Sequence, residues 1–439
     1  MRKLSIYIWG ILFFFLVVEI GYAEQPGTNT FDHAIATCQE YLIAAGFENI
    51  QFQIARHQTI WIEYENRCYR NEVTALGIVI GYAAASFPFA KQLVIVPKYR
   101  NLPIKFLKVD RELYQQFIRG EISPQNFIEN LEVSFQPTSE KPLFGYGAPN
   151  IRSSMFHVDF IVSPGVKAQF ARPDDPAQLQ FNFLSDLSFT LAPGLQFYGQ
   201  WIAPLYNEFQ PREASSRLGQ LFLNQFIRLP SRTFLSVSAG LFEYDCHGIS
   251  AQMKKFFGNE QLSFSVRTDY LQTSSVNKLL ELDSPCHNKF SYLFQVQYHF
   301  DQINFATQLT WGRYLLGDEG WRIDIVRSFH ELELGFMGIW NNSLEFLTGM
   351  TVRVPFPIAK QAQPGVMRIR TPKFIPWNYR YLPCFDGFIL NTGENFDEIA
   401  QQFSISYIRA NVNQFKTAIR YVKLDAPQQL EKLLAQRGK

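Results

Sequence analysis

The sequence predicts an all-β transmembrane barrel of about fourteen antiparallel strands, preceded by a small periplasmic α+β domain. Three observations carry that expectation: long period-two alternation, an N-terminal export signal, and no later apolar stretch of membrane-helix length. The alternation is clearest from Phe290 to Pro355. Phe290, Tyr292, Phe294, Val296, Tyr298 and Phe300 share one face, opposite Ser291, Gln295, Gln297 and His299. The phase resets through Asp301 and Gln302, after which Phe305, Thr307, Leu309 and Trp311 oppose Asn304, Gln308 and Thr310. Successive side chains of a strand point to opposite faces, so repeated alternation requires a sheet with two different solvents on its two sides.

The chain opens with Arg2 and Lys3, an apolar run from Ile6 to Val18 and the small-residue pattern Gly21-Tyr22-Ala23. This reads as a signal peptide over residues 1–23. An uncleaved anchor helix is the weaker reading, because the run falls short of the ~20 residues a span needs. Composition agrees with an exported barrel: of 439 residues, 47% are hydrophobic and 16% aromatic, and aromatics in ~10-residue alternating strands mark outer-membrane barrels. The net charge of +2 offers no case for nucleic acid as a partner. The five cysteines would be in an oxidising compartment, where Cys38 could pair with Cys68 and Cys246 with Cys286, leaving Cys384 alone.

Residues 30–137 read as a soluble mixed domain. Helical periodicity covers Phe31 to Ala45, ending at Gly46, and a hairpin around His57-Gln58 joins strands at Ile50 to Ile54 and Thr59 to Tyr64. A second helix follows from Glu72 to Ser86, then strands at Leu93 to Pro97 and Ile104 to Val109, a helix from Arg111 to Ile118 and a last strand at Leu131 to Phe135. The domain reads as a docking or scaffolding unit, and a Pro/Gly-bearing linker, Pro137 to Pro149, ends it.

The barrel is expected over 150–423, with strands at about 155–170, 178–190, 194–204, 218–228, 232–243, 249–257, 261–271, 289–300, 303–314, 320–329, 331–340, 343–354, 401–411 and 414–423. If the first strand rises from the periplasmic domain, the longer connections fall outside the cell, and the tight ones, such as Ala192-Pro193, Gly258 to Glu260 and His330, fall on the periplasmic side. One tight-side connection breaks the rule. The proline-rich insert 356–399 is long enough to be a lumenal plug or a periplasmic extension. A Leu/Lys/Gln-rich tail, 427–439, follows the last expected strand.

No catalytic constellation stands out, and no cofactor or metal is expected. Cys246-His247 and Cys286-His287 supply four possible zinc ligands, but at no common site spacing, so a disulfide is the better reading. His157, His299 and His330 are the candidates for a hydrolase on the barrel wall, yet no Ser/His/Asp spacing accompanies them. The strand phase instead directs Arg267, Asp269, Arg322, Asp324, Glu331, Glu333, Glu345 and Arg353 away from lipid. With Arg368, Arg370 and Arg380 of the insert, these residues mark either a path for a polymer or charges that satisfy one another across the lumen.

Gly312-Arg313-Tyr314-Leu315-Leu316-Gly317-Asp318-Glu319-Gly320, followed by Arg322-Ile323-Asp324-Ile325, resembles the YjbH family. The similarity extends to Ser163-Pro164-Gly165, Ala192-Pro193-Gly194-Leu195, Ala203-Pro204-Leu205, Ser238 to Glu243 and Val352 to Pro355. It implies an outer-membrane barrel associated with exopolysaccharide production and export; with no catalytic spacing and a soluble first domain, the expected protein assists export or surface assembly without catalysis, its N-terminal domain in the periplasm. The implied partners are outer-membrane lipid, the exopolysaccharide and other components of a polysaccharide secretion system. The alternatives are an outer-membrane enzyme acting on lipid or glycan, and a structural barrel whose periplasmic domain recruits partners.

Overall fold

The computed structural model describes residues 29–55, 58–137, 150–170, 177–208, 214–258, 260–273, 290–315, 317–342, 344–380, 389, 391–393 and 396–422. The expected signal peptide, residues 138–149 of the expected linker, the tail 427–439 and the segments containing Cys286 and Cys384 lie outside them. None of the described helices is long and apolar enough to cross a membrane.

Helix α1 (Asn29–Ala45) leads into the hairpin β1 (Phe47–Ala55) and β2 (Thr59–Asn66). Helix α2 (Glu72–Ser86) starts at Asn71, whose side chain accepts from the Val73 amide, and crosses over to β3 (Gln92–Tyr99), parallel to β2. The short β4 (Leu102–Pro103), then β5 (Phe106–Asp110) and β6 (Glu132–Ser134), complete a sheet ordered β1-β2-β3-β5-β6, with β4 on β3. Between β5 and β6 lie α3 (Arg111–Arg119) and α4 (Pro124–Glu129), capped by Asp110 and Ser123. Cys38 and Cys68 are both buried free thiols, which corrects the expected pairing. Cys38 is held in α1 within the helical core, and burial pushes its thiol up to about 12; Cys68 instead donates to the Ala362 carbonyl at 3.6 Å.

Twelve consecutive strands then form wherever the sequence alternates: β7 (Val158–Phe170), β8 (Ala177–Ala192), β9 (Leu195–Asn207), β10 (Arg217–Leu229), β11 (Thr233–Leu241), β12 (Cys246–Phe257), β13 (Leu262–Thr273), β14 (Phe290–Phe300), β15 (Phe305–Arg313), β16 (Glu319–Phe329), β17 (Leu332–Asn341) and β18 (Leu344–Pro355). Each pairs antiparallel with the next. Glycine sets the spacing at one crossing. Gly312, at φ 154°, lies so close to β14 that a Cβ would overlap the Tyr292 carbonyl oxygen. Gly312→Val is therefore expected to cost about 1–3 kcal/mol, readable as a lower temperature for loss of the compact band on unheated gels.

The last two expected strands are not strands. Residues 396–422 are helical instead: α5 (Phe396–Gln401), α6 (Ile405–Ala410) and α7 over 412–422. Phe415, Ala418, Ile419 and Val422 leave the sheet and pack into the core of the N-terminal domain. Gly77 and Gly81 of α2 permit that approach, since a Cβ at Gly77 would stand 3.0 Å from Ala418 Cβ and one at Gly81 3.1 Å from Val422.

Two strands from the insert take their place. β19 (Met367–Arg370) pairs parallel with β7, and β20 (Phe374–Arg380) pairs antiparallel with β18. Among the described residues a fourteen-stranded sheet results, ordered β19-β7-β8 and so on to β18-β20, with no ladder joining its two ends. One stretch, 367–380, thus borders both edges of the twelve-stranded run.

Candidate functional site

The large sheet buries polar side chains and exposes apolar ones. Asn224, Ser236, Ser238, Ser250, Lys254, Ser263, Ser265, Ser291 and Thr310 are buried, whereas Leu223, Ile249, Phe264, Phe294, Leu309, Trp311, Trp321, Phe336, Trp340 and Phe346 are exposed. That is the reverse of a water-soluble core, in which large apolar side chains go inside.

Of the charges read as a polymer path, those on the strands meet in pairs and two arginines of the insert gather on one carboxylate, while the Glu345 side chain lies outside the described residues. Arg267 and Asp269, two residues apart on one face of β13, meet at 2.9 Å, and Ser291 donates to Asp269. Arg322 and Asp324 repeat the arrangement on β16 at 2.7 Å. Arg353 reaches Glu333 at 3.5 Å and lies over the Phe374 ring. Arg368 and Arg370 converge with Arg67 on one buried carboxylate, Asp159, at 2.6, 3.3 and 2.8 Å. Arg380 ends β20 opposite Gly349, and its side chain is outside the described set. Arg267 with Asp269, Arg322 with Asp324 and Arg353 with Glu333 thus satisfy one another, as buried charge requires, whereas three guanidiniums share the one carboxylate of Asp159.

The N-terminal domain docks on the end of the sheet that bears the short turns. Gly194 donates to the Arg100 carbonyl at 2.8 Å, and Arg228 to the Pro103 carbonyl at 2.8 Å. Lys105 meets Glu260 at 2.8 Å. Arg70 meets Glu331 at 2.7 Å, and Gln414 of α7 donates to the same carboxylate. Near the start of β7, Arg67 bridges Glu48 and Asp159, and His157 pairs with Glu48 at 2.7 Å. Burial raises the Glu48 carboxyl, and Arg67 and His157 oppose that rise. His299 pairs with Asp301 at 2.9 Å, and His330 occupies a turn at φ 58°. His157 and His299 are thus engaged by carboxylates at the docked end, and His330 shapes a turn there.

The insert also enters the interior. Thr392 donates to Ser250 at 3.0 Å, and Gly393 lies against Asn224 and Ser238. Below it Phe396 and Phe403 join Phe226, Phe234 and Phe256 of the sheet and Ile104 and Phe135 of the docked domain in one apolar cluster. A second cluster, Phe222, Phe242, Cys246, Leu271 and Leu315, occupies the opposite half. Cys246 is disulfide-bonded, which removes it as a thiolate ligand. Among the described residues no group of three or more His, Cys, Asp or Glu side chains is arranged to hold a metal ion.

Docking should weaken in acid. Burial alone would raise the Glu331 carboxyl, but hydrogen bonds from Arg70 and Gln414 hold it below its ordinary 4.5. A carboxyl depressed in the folded state contributes stability that is complete above the unfolded value and is lost as pH falls through the folded one. Domain stability, followed by protease cleavage between pH 7 and pH 3, should therefore fall below about 4.5, and Glu331→Gln should flatten that fall.

Glu48, Arg67 and Asp159, which join the two units, were not singled out from sequence. Only Asp159 carried a signal, as the first of the polar series Asp159, Ser163 and Lys167 on one face of β7.

Fold and interior together define a large antiparallel β-sheet protein with reversed polarity and an α/β domain docked on one end. Residues 22–217 and 210–341 match the family described as exopolysaccharide biosynthesis protein YbjH, and the chain belongs to this YjbH family. No curated protein matches the chain.

Proposed function

We propose that this protein is an outer-membrane β-barrel that assists export or surface assembly of an exopolysaccharide, without making or breaking bonds in it. One observation carries the membrane part: exposed large apolar side chains on nearly every strand from β8 to β18, over buried serines, asparagines and glutamines. A continuous apolar exterior of that size is the face a bilayer stabilises. The docked domain then lies in the periplasm, on the short-turn side. Polymer involvement rests on the family description.

Membrane fractionation together with gene deletion tests this reading. The protein should co-purify with outer membrane, and its loss should abolish surface polysaccharide while leaving cytoplasmic synthesis intact. Recovery in the soluble periplasm, or unchanged surface polymer, would overturn it.

The filled interior favours a second reading, a structural barrel whose periplasmic domain recruits partners. Conductance separates the two. If the insert is a removable block, replacing residues 389–396 with a Gly/Ser linker of equal length should raise single-channel conductance in planar bilayers. A silent replacement favours the structural barrel.

A further inference from the structure

The two edges of the twelve-stranded run face each other at a seam bordered by the one stretch that carries β19 and β20, and among the described residues no ladder joins these two strands. β19 covers β7 from Val158 to Ile161, and among the described residues Val162 to Phe170 has no strand partner on that edge. Pro164 lies within this unpaired stretch and has no amide hydrogen to donate to a ladder.

Two cavities of different character adjoin this opening. The inner one, 430 Å³, is mixed, with Ser163, Asn182, Asp186, Gln200 and Glu243 beside Leu184, Ile202 and Phe374 of β20. The other, 630 Å³, is mainly apolar, with Phe183, Leu205, Ile358 and Ile369 exposed along it. Ser163, Pro164 and Asn182 form walls of both. Each volume lies in the range of small-molecule sites.

Asn182 supplies an independent sign of a missing ligand. Asn182 is 5% exposed, its Nδ2 donates to Gln180, and among the described residues its Oδ1 is buried without a partner. An orphaned buried acceptor is costly, so it calls for a donor from outside the chain. Around the inner cavity, two basic residues, Lys167 and Arg217, face three acidic ones, Asp186, Glu243 and Asp245. Its walls therefore carry no excess of positive charge to hold a phosphate. Burial also pushes the Glu243 carboxyl up to about 7, which makes it a donor or acceptor for a hydroxyl over part of the neutral range.

We propose that the seam binds an amphiphile edge-on, with an uncharged, hydroxyl-bearing head such as a sugar in the inner cavity and its alkyl chain in the apolar groove. Asn182 Oδ1 accepts from a head hydroxyl, and Gln200 and Ser163 offer further polar contacts. The chain lies along Phe183, Leu205 and Ile369 on the outer face. This rests on the proposed reading only in taking that face as lipid-facing.

Native mass spectrometry of the full-length protein, released from polyoxyethylene ether micelles, tests the site with three probes: dodecyl maltoside, free maltose and dodecyl phosphate. One dodecyl maltoside should be retained per protein, more strongly than dodecyl phosphate, and maltose should not be retained. Asn182→Leu and Ile369→Asn should each weaken retention about tenfold, the loss of one buried hydrogen bond or of comparable apolar contact. No retained maltoside, preference for the phosphate, or maltose binding as tight as the maltoside would overturn the proposal on the unaltered protein. Retention unchanged in both variants would place the ligand elsewhere and also overturn it. Fractionation with outer membrane despite no retained maltoside would leave the proposed function standing without this site.

Discussion

Asp159→Ala should destabilise the protein by about 3–5 kcal/mol, the cost of breaking a buried ion pair by removing one partner. Three guanidiniums, from Arg67, Arg368 and Arg370, converge on this carboxylate, which is 3% exposed. Without it they remain buried as three like charges, with Glu48 still paired to Arg67 at 3.1 Å. The effect should exceed that of a usual pair because Asp159 ties together three parts of the chain: the N-terminal domain through Arg67, the first strand of the sheet, and the seam strand β19. Urea unfolding, monitored separately in the domain and the sheet, should show both losing stability together. The exposed pair Arg119–Glu121, at 3.6 Å, is the internal comparison; breaking it should cost no more than about 1 kcal/mol. Equal effects at the two sites would mean that Asp159 does not hold the joint.

Phe415→Ala should cost a further about 3–5 kcal/mol, the range for removing a buried phenylalanine side chain from a packed core. Phe415 is fully buried, with its ring stacked on Phe127 at 5.8 Å and near Phe117 at 6.2 Å. The consequence is specific in location. Hydrogen exchange in α2 and α4 should accelerate while the strands of the sheet keep their protection, because the apolar face of α7 packs into the N-terminal domain and its contact with the sheet is the Gln414 hydrogen bond to Glu331 in a turn. Loss of protection in β7 and β18 with none in α2 would contradict that placement.

The twelve strands from β7 to β18 were legible to within a few residues at each end. Their two faces meet unlike surroundings, so every second residue is constrained and the phase persists, as from Phe290 to Phe300. The same phase set Arg267, Asp269, Arg322, Asp324 and Arg353 apart from the exposed apolar positions, and in the structure they are buried or half-buried. Whether these charges would line an open path or neutralise one another was not readable, because that depends on distances across the interior. In the sheet they pair off, and Asp159 takes up Arg368 and Arg370.

The C-terminal segment was misread for an identifiable reason. Phe403, Ile405 and Tyr407 alternate as a strand would, but Phe415, Ala418, Ile419 and Val422 follow the three-and-four spacing of a helix. Ser404 settles the first turn, accepting the Tyr407 amide at 3.2 Å as an N-cap. The helical stripe was present in the sequence; its partner, the small-residue face of α2 at Gly77 and Gly81, lay more than three hundred residues away.

By itself the sequence determined the α/β unit, the run of alternating strands and the contrast between their faces, because periodicity and local capping are properties of neighbouring residues. Tertiary structure decided which segments border the sheet edges, where the C-terminal helices pack, why Cys38 and Cys68 stay apart and which carboxylate gathers the insert's arginines. Each of those outcomes joins residues far apart in the chain, and their energies exist only once burial has removed water from between them.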